Sequence, residues 1–396
     1  MPRSSKSGNP LSAAPAGSGY AMPAEWEPHA ATWLAWPHNH DDWPGKFEPI
    51  PWVYAEIIRN LARHERVDLI VNNARAQTQA RKLLKLANAL TPNVHFHRWP
   101  TNRVWLRDSG CIFLKREGHD FSRADQDHKK VGASAPGGTV ALKFRFNAWA
   151  KYSNWRLDDK IGSLMAHTKT PTSRAQNARE MGHPHSHLHE IHPVSAGKHI
   201  VLEGGSIDVN GAGTILTTEE CLLSKIQQRN PHMTRVHYEK AFADYLGAPN
   251  VIWLGRGIVG DDTHGHVDDL TRFVSADAVV TMVEPNSRDA NHAPLLANLR
   301  RLQAARDQAG RALNIVELPM PGPVVFEGRR LPASYANFYI ANKVVLVPVF
   351  NDANDRIVLN TLAGVFRTRQ VVPIYAGDLV WGLGTLHCMT QQQPAE

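Results

Sequence analysis

The sequence predicts an α/β fold, and three observations carry that prediction. Stretches with helical apolar spacing alternate with short apolar runs bounded by turn residues. These pairs recur at a coarse period, without the strict repeat of a solenoid. No apolar run approaches the roughly 18–20 residues of a membrane helix, and the 42% hydrophobic, 20% charged composition is that of a globular chain.

In order, VYAEIIRNLARH (53–64) is spaced as a helix and VDLIV (67–71) as a buried strand. Helix AQTQARKLLKLANAL (76–90) leads to strand VHFHRW (94–99). HIVLEGG (199–205) reads as a strand, followed by a hairpin over SIDVNGAGTILT (206–217) that turns at Asn210–Gly211. VIWLG (251–255) is a strand, and DDLTRFVSADAVVTMV (268–283) is two short strands about a bend. A helix over 293–310, then strands at 313–319, 344–350 and 370–375, complete the pattern. Residues 1–19 are polar, lack an apolar core and read as a disordered tail rather than a secretory signal.

Two stretches interrupt the alternation. Residues 117–139 are polar and glycine-rich. Residues 166–195 contain HPHSHLHEIH, with His183, His185, His187, His189 and His192. Alternating imidazoles on an extended chain share a face and could hold zinc or nickel. A solvated surface insertion suits the surrounding polarity better. The net charge of +7 comes from scattered lysines and arginines, which speaks against nucleic acid as a partner. Three widely spaced cysteines suggest no disulfide framework and suit a reducing cytoplasm.

Four places set ionisable residues beside glycines: Asp108 in NRVWLRDSG, Glu203 in VLEGGSIDV, His266 and Asp268 in GDDTHGHVDD, and Cys388 in GLGTLHCMTQQQP. Singly, each has a plain reading: a local ion pair, a buried pair, a polar turn or zinc site, a structural thiol. Together they make a thiol, an imidazole and three carboxylates. Clustered carboxylates take up protons unless a cation sits among them. A guanidinium fits that need, being planar, permanently charged and forked, and its electrophilic carbon is open to a thiolate.

Seven segments in order carry a resemblance: MPAEWEPHAATWLAWP (22–37), NRVWLRDSG (102–110), FNAW (146–149), LEGGSIDVNGAGTILTTEECLL (202–223), GIVGDDTHGHVDD (257–269), PASYANFYIAN (332–342) and LHCMTQQQP (386–394). The chain resembles the agmatine deiminases, within the guanidine-modifying group that includes arginine and peptidylarginine deiminases. The resemblance implies a single domain over 20–396, a five-bladed α/β propeller of pentein type built from pseudo-fivefold ββαβ units. It further implies that Cys388 attacks the guanidinium carbon, that His266 serves as acid and then base, and that Asp108 and Asp268 grip the guanidinium. Glu203 would add a carboxylate and Trp105 would line the pocket. No cofactor or metal is implied. The implied substrate is a small cationic guanidino compound, agmatine, giving N-carbamoylputrescine and ammonia in the cytoplasm, with a homo-oligomer as an open possibility.

The chain departs from the family in having Arg103 where an aspartate is usual, Cys111 for a proline, Thr385 near a usual asparagine, and the 166–195 insertion. His264 replaces an aspartate and is expected to face away. Arg103 is expected to face solvent; facing inward, it would repel an amine and welcome a carboxylate. Competing readings are free-arginine or peptidylarginine deimination, amidino transfer, or a silent metal-binding relative.

Overall fold

The computed structural model describes residues 14–116, 138–168 and 188–396. Residues 1–13 and 117–137, and His183, His185 and His187 of the histidine-rich stretch, lie outside the described residues. Five sheets follow one scheme: an antiparallel pair of strands, one of which also pairs in parallel with a third. Asp208–Val209 and Thr214–Thr218 are antiparallel, and Asn250–Leu254 runs parallel to the latter. Thr271–Ser275, Ala278–Val283 and Asn314–Pro319 repeat this, as do Tyr339–Ile340, Val344–Val349 and Gln370–Tyr375. Ile112–Arg116, Thr139–Leu142 and His189–Ile191 form the fourth, with Tyr20–Ala21 added at its edge.

The fifth sheet joins the two ends of the chain. Gln391–Pro394 pairs antiparallel with His29–Ala35, which lies parallel to Arg66–Val71, itself parallel to Val94–Arg98. Parallel neighbours need a crossover, and helices supply it: Ile50–Leu61, Ala74–Leu86, Ile161–Ala166, Arg235–Ala241, His292–Ala304 and Asp355–Val365. Ile50–Leu61 buries Tyr54, Ile57, Ile58 and Leu61 on one face, each aliphatic side chain contributing roughly 1.5–3 kcal/mol. Among the described residues, no helix is long and apolar enough to cross a membrane.

Most expected strands stand within a residue or so of where their apolar runs put them. The expected strand over 199–205 does not form. Only Lys198–His199 and a single bridge from Val201 to Arg145 are laddered, and the backbone then turns at Gly204–Ser206. Glu203 leaves the apolar run to meet Arg229, and a Cβ at Gly204 would lie 2.3 Å from the Arg107 carbonyl oxygen. The C-terminal turn is buried from Thr385 to Gln393. Its glutamines are paired: Gln392 accepts from Arg107 Nη1 at 2.7 Å, and Gln393 from Trp33 Nε1 at 3.0 Å.

The tail expected to be disordered through residue 19 is ordered from Pro15, which is buried and opens a 3₁₀ turn to Ser18. The 166–195 stretch also needs correcting, because His189–Ile191 is a sheet strand. Lys143 donates to the Ile191 carbonyl at 2.8 Å, and Ser163 bonds Glu190. Deleting 168–194 is therefore expected to lower the melting temperature markedly, whereas a deletion confined to 169–187 spares the strand. Equal melts for the two deletions would show that the strand contributes nothing.

Candidate active site

One short turn or bend leads into the first antiparallel strand of each sheet, and each presents a polar group. Asp108 sits in Leu106–Ser109 before Ile112–Arg116, and Glu203 stands before Asp208–Val209. His266 and Asp268 precede Thr271–Ser275, Asn337 precedes Tyr339–Ile340, and Cys388 lies in Leu386–Met389 before Gln391–Pro394. Strand pairing thus fixes where side chains distant in sequence converge.

The His266 ring is enclosed by acids. Nδ1 lies 3.9 Å from Asp108 Oδ2 and 4.0 Å from Asp268 Oδ1, and Nε2 lies 3.8 Å from Glu203 Oε2. Neither ring nitrogen has a hydrogen-bond partner among the described residues. Burial opposes the charged imidazole, but Asp108, and then Cys221 and Glu203, outweigh it and hold its pKa well above the histidine range. A side chain at Gly205 could not fit, since a Cβ there would lie 2.6 Å from His266 Nδ1 and 3.0 Å from both Asp108 Oδ1 and Asp268 Oδ2.

The carboxylates differ. Asp108 accepts from Trp149 Nε1 at 2.8 Å and the Gly205 amide at 3.0 Å, yet burial pushes it up to about 6, with Asp268 and Glu203 adding repulsion against the pull of His266. For Asp268, burial is outweighed by His387, whose Nδ1 lies 2.7 Å from Oδ2, and its pKa falls below the usual range. Burial likewise opposes the charge on Glu203, but Arg229, donating from Nε at 3.1 Å, and His266 bring it down to about 2. Glu203 is fully enclosed behind the imidazole.

Cys388 Sγ lies 3.7 Å from Asp268 Oδ2. Asn337 Oδ1 accepts from the Thr385 hydroxyl and the His387 amide, which turns Nδ2 toward Sγ at 3.0 Å and Asp269 Oδ1 at 3.0 Å. Burial, then Asp268, Asp269 and Asp108, push the thiol well above its ordinary pKa. It is therefore protonated until positive charge arrives. Gly384 makes the close approach that the glycine-rich turn implied, since a Cβ there would lie 2.8 Å from Trp105 and 3.2 Å from Sγ.

A cleft of about 360 Å³ opens above Cys388 and Asp108, lined by Trp105, Trp149, Tyr152, Arg103, Asp262, Thr263 and Leu383, with Gly382 and Gly384. Arg103 is not the solvent-facing side chain expected. It is 13% exposed, paired through Nη1 with buried Asp42, and its guanidinium carbon stacks 4.3 Å from the Tyr152 ring centroid. His264 is engaged with Ser224 Oγ at 3.1 Å.

Sequence reasoning missed Asn337, His387, Arg229 and Trp149. Trp149 is carried on a left-handed turn, with φ of 51°, 58° and 55° over Ala148–Ala150, a costly backbone pinned by Asn147 accepting from Ala150 N. Asn337 and Trp149 fall inside the PASYANFYIAN and FNAW segments, which were the available signal. Glu203, Cys221 and His266 could together present ligand atoms within 4.8 Å of one another to a metal ion, although Arg229 already supplies positive charge beside Glu203.

The chain is similar to known proteins over nearly its whole length. Agmatine deiminases of Stutzerimonas stutzeri and Pseudomonas syringae pv. tomato are 32% and 31% identical to the chain, each covering 97% of it and 98% of the relative. The solved agmatine deiminase of Enterococcus faecalis matches with a TM-score of 0.78 at 26% identity, covering 97% of this chain and 98% of that one. A substrate-bound, serine-for-cysteine agmatine deiminase of C. jejuni matches at 0.75 and 27%, covering 94% and 96%. Residues 21–394 match the Porphyromonas-type peptidyl-arginine deiminase family, and the chain belongs to that family.

Proposed function

We propose that the chain converts a small free guanidino compound to its ureido product and ammonia through a covalent amidino-cysteine. The reference substrate, taken from the relatives' names, is agmatine, whose deimination would give N-carbamoylputrescine. The chain is a hydrolase acting on carbon–nitrogen bonds of amidines. The observation that supports the mechanism best is a buried thiol, 3.7 Å from a carboxylate, whose ionisation burial and three carboxylates oppose.

A guanidinium seated between Asp108 and Asp268 supplies a cation that offsets this, so on substrate binding the Cys388 thiol loses its proton to solvent and the thiolate forms. Asn337 Nδ2 donates to the same sulfur. Sγ bonds to the guanidinium carbon, and protonated His266 gives its proton to the departing nitrogen as the C–N bond breaks and ammonia leaves. Neutral His266 then takes a proton from water as its oxygen attacks the amidino carbon. Cleavage of the C–S bond, with the hydroxyl proton of the tetrahedral adduct passing to sulfur, frees the neutral ureido product and restores the thiol. The five sheets, each delivering one polar turn, read as five blades about a common centre.

Asp108 must be anionic to grip the guanidinium, so kcat/KM is expected to fall as pH drops through about 6, the value to which burial raises this group. The decisive assay combines ammonia release with intact mass. Wild-type protein quenched in acid during turnover of agmatine or 5-guanidinopentanoate should carry the added mass of substrate less ammonia, and Cys388→Ser protein should not. Ammonia release by the wild type with no such adduct, under any quench, would point to direct attack by water instead.

A further inference from the structure

The cleft is graded in charge from floor to mouth. Its floor is acidic, where Asp108, Glu203 and Asp268 face His266 and Arg229. Its mouth is not. Arg103 lines it directly, and Lys151 and Arg329 stand on Asp262. Asp262 is already balanced by cations and bonded at both oxygens: Oδ1 takes Lys151 and lies 3.6 Å from Arg329, and Oδ2 accepts the Tyr152 hydroxyl at 2.6 Å. Behind Arg103, burial raises both Asp42 and Asp158 to about 7, and the Arg103 charge only partly offsets it.

Arg103 also has unused donor capacity. Nη1 is bound to Asp42, Nη2 reaches Asn154 only at 3.5 Å, and Nε is buried without an acceptor among the described residues. Nη2 can donate a charge-assisted hydrogen bond to a carboxylate at the mouth, and stacking on Tyr152 holds the guanidinium plane. An ammonium at the same place would meet like charge.

We propose that this site selects an ω-guanidino acid, a substrate with a carboxylate at the end opposite its guanidino group, and that Arg103 is the residue that selects it. This rests on the deimination reading above. The carboxylate is drawn to the mouth while the guanidinium sits on the acidic floor, so both ends of one extended molecule are matched.

The test uses three probes of similar length that differ only at the far end: 5-guanidinopentanoate, agmatine and pentylguanidine. Ammonia release by the wild-type protein should rank acid over neutral over amine, with kcat/KM for the acid at least about tenfold above agmatine, a modest factor for opposite charges meeting at intermediate dielectric. Arg103→Gln should bring the acid-to-amine ratio to within about twofold of the charge-neutral limit, while Arg103→Lys keeps its direction. Because Arg103→Gln leaves Asp42 without its partner, the double variant Asp42→Asn/Arg103→Gln keeps the comparison readable if the single variant melts. Wild-type turnover of agmatine equal to or above that of the acid overturns the carboxylate inference and leaves deimination standing. No ammonia from any probe, with no adduct on acid-quenched wild-type protein, overturns deimination and this inference with it. An unchanged ratio in both glutamine variants removes Arg103 as the selector.

Discussion

Replacing Cys388 by serine is expected to lower turnover by at least about a thousandfold, the scale of a lost covalent route, with the fold unchanged. The geometry makes the loss steep. An alcohol in this pocket would need to ionise against the same burial and the same three carboxylates that already push the thiol up. Substrate charge can tip a thiol under those conditions but not an alcohol, whose proton is held far more tightly. The side chain is nearly isosteric, so Asn337 Nδ2 keeps a partner and melting should not move. Binding should survive, because the floor carboxylates remain, and the variant should hold substrate without releasing ammonia. Residual activity above about one part in a thousand of wild type would remove Cys388 as the nucleophile.

Asp268→Asn and Asp108→Asn are expected to abolish most activity alike but to part company in stability. Asp108 has a folded pKa of about 6, above its unfolded value of roughly 3.9. Its contribution to stability is therefore present below that unfolded value and lost as pH rises through 6. At pH 7 the ionised form is a liability in the empty site, so Asp108→Asn should melt level with wild type or higher. Asp268 is the reverse case. Its pKa is depressed, so its contribution is present above the unfolded value and disappears only as pH falls through the folded one.

Removing the Asp268 charge leaves His387 with one carboxylate partner, Glu25 at 2.8 Å, inside a fully buried network that also contains Arg107 and Arg272. We expect Asp268→Asn to cost roughly 2–4 kcal/mol of stability at neutral pH, the scale for breaking one side of a buried pair. Chemical denaturation of both variants at pH 7 and pH 5 checks the signs. Equal melts at pH 7 would mean that Asp268 is as free of structural duty as Asp108.

Alternation of helical and strand spacing was enough to establish an α/β chain, because burial of one face leaves a period that local residues reveal. Gln370–Tyr375 and the 271–283 hairpin match their apolar runs for that reason. Strands made of paired polar residues leave no such trace. Gln391–Pro394 has no apolar alternation, and only His29–Ala35, across the whole chain, makes it a strand.

The candidate site divides the same way. Residue type, glycine context and the ordered segments singled out Cys388, His266, Asp108, Asp268 and Glu203, since chemistry demands particular side chains whatever surrounds them. Which carboxyl is charged could not be read from sequence. Asp108 and Asp268 look alike there, and burial opposes the charge on both; they differ because the His387 ring bonds Asp268, whereas Asp108 meets the repulsion of Asp268 and Glu203 with His266 only at 3.9 Å. Arg103 was visible as an unusual residue, but its direction depends on Asp42 and Tyr152, 61 and 49 positions away. Side-chain identity is local information, whereas charge state and orientation are set by whatever the fold packs beside a group, and only the tertiary structure decides that.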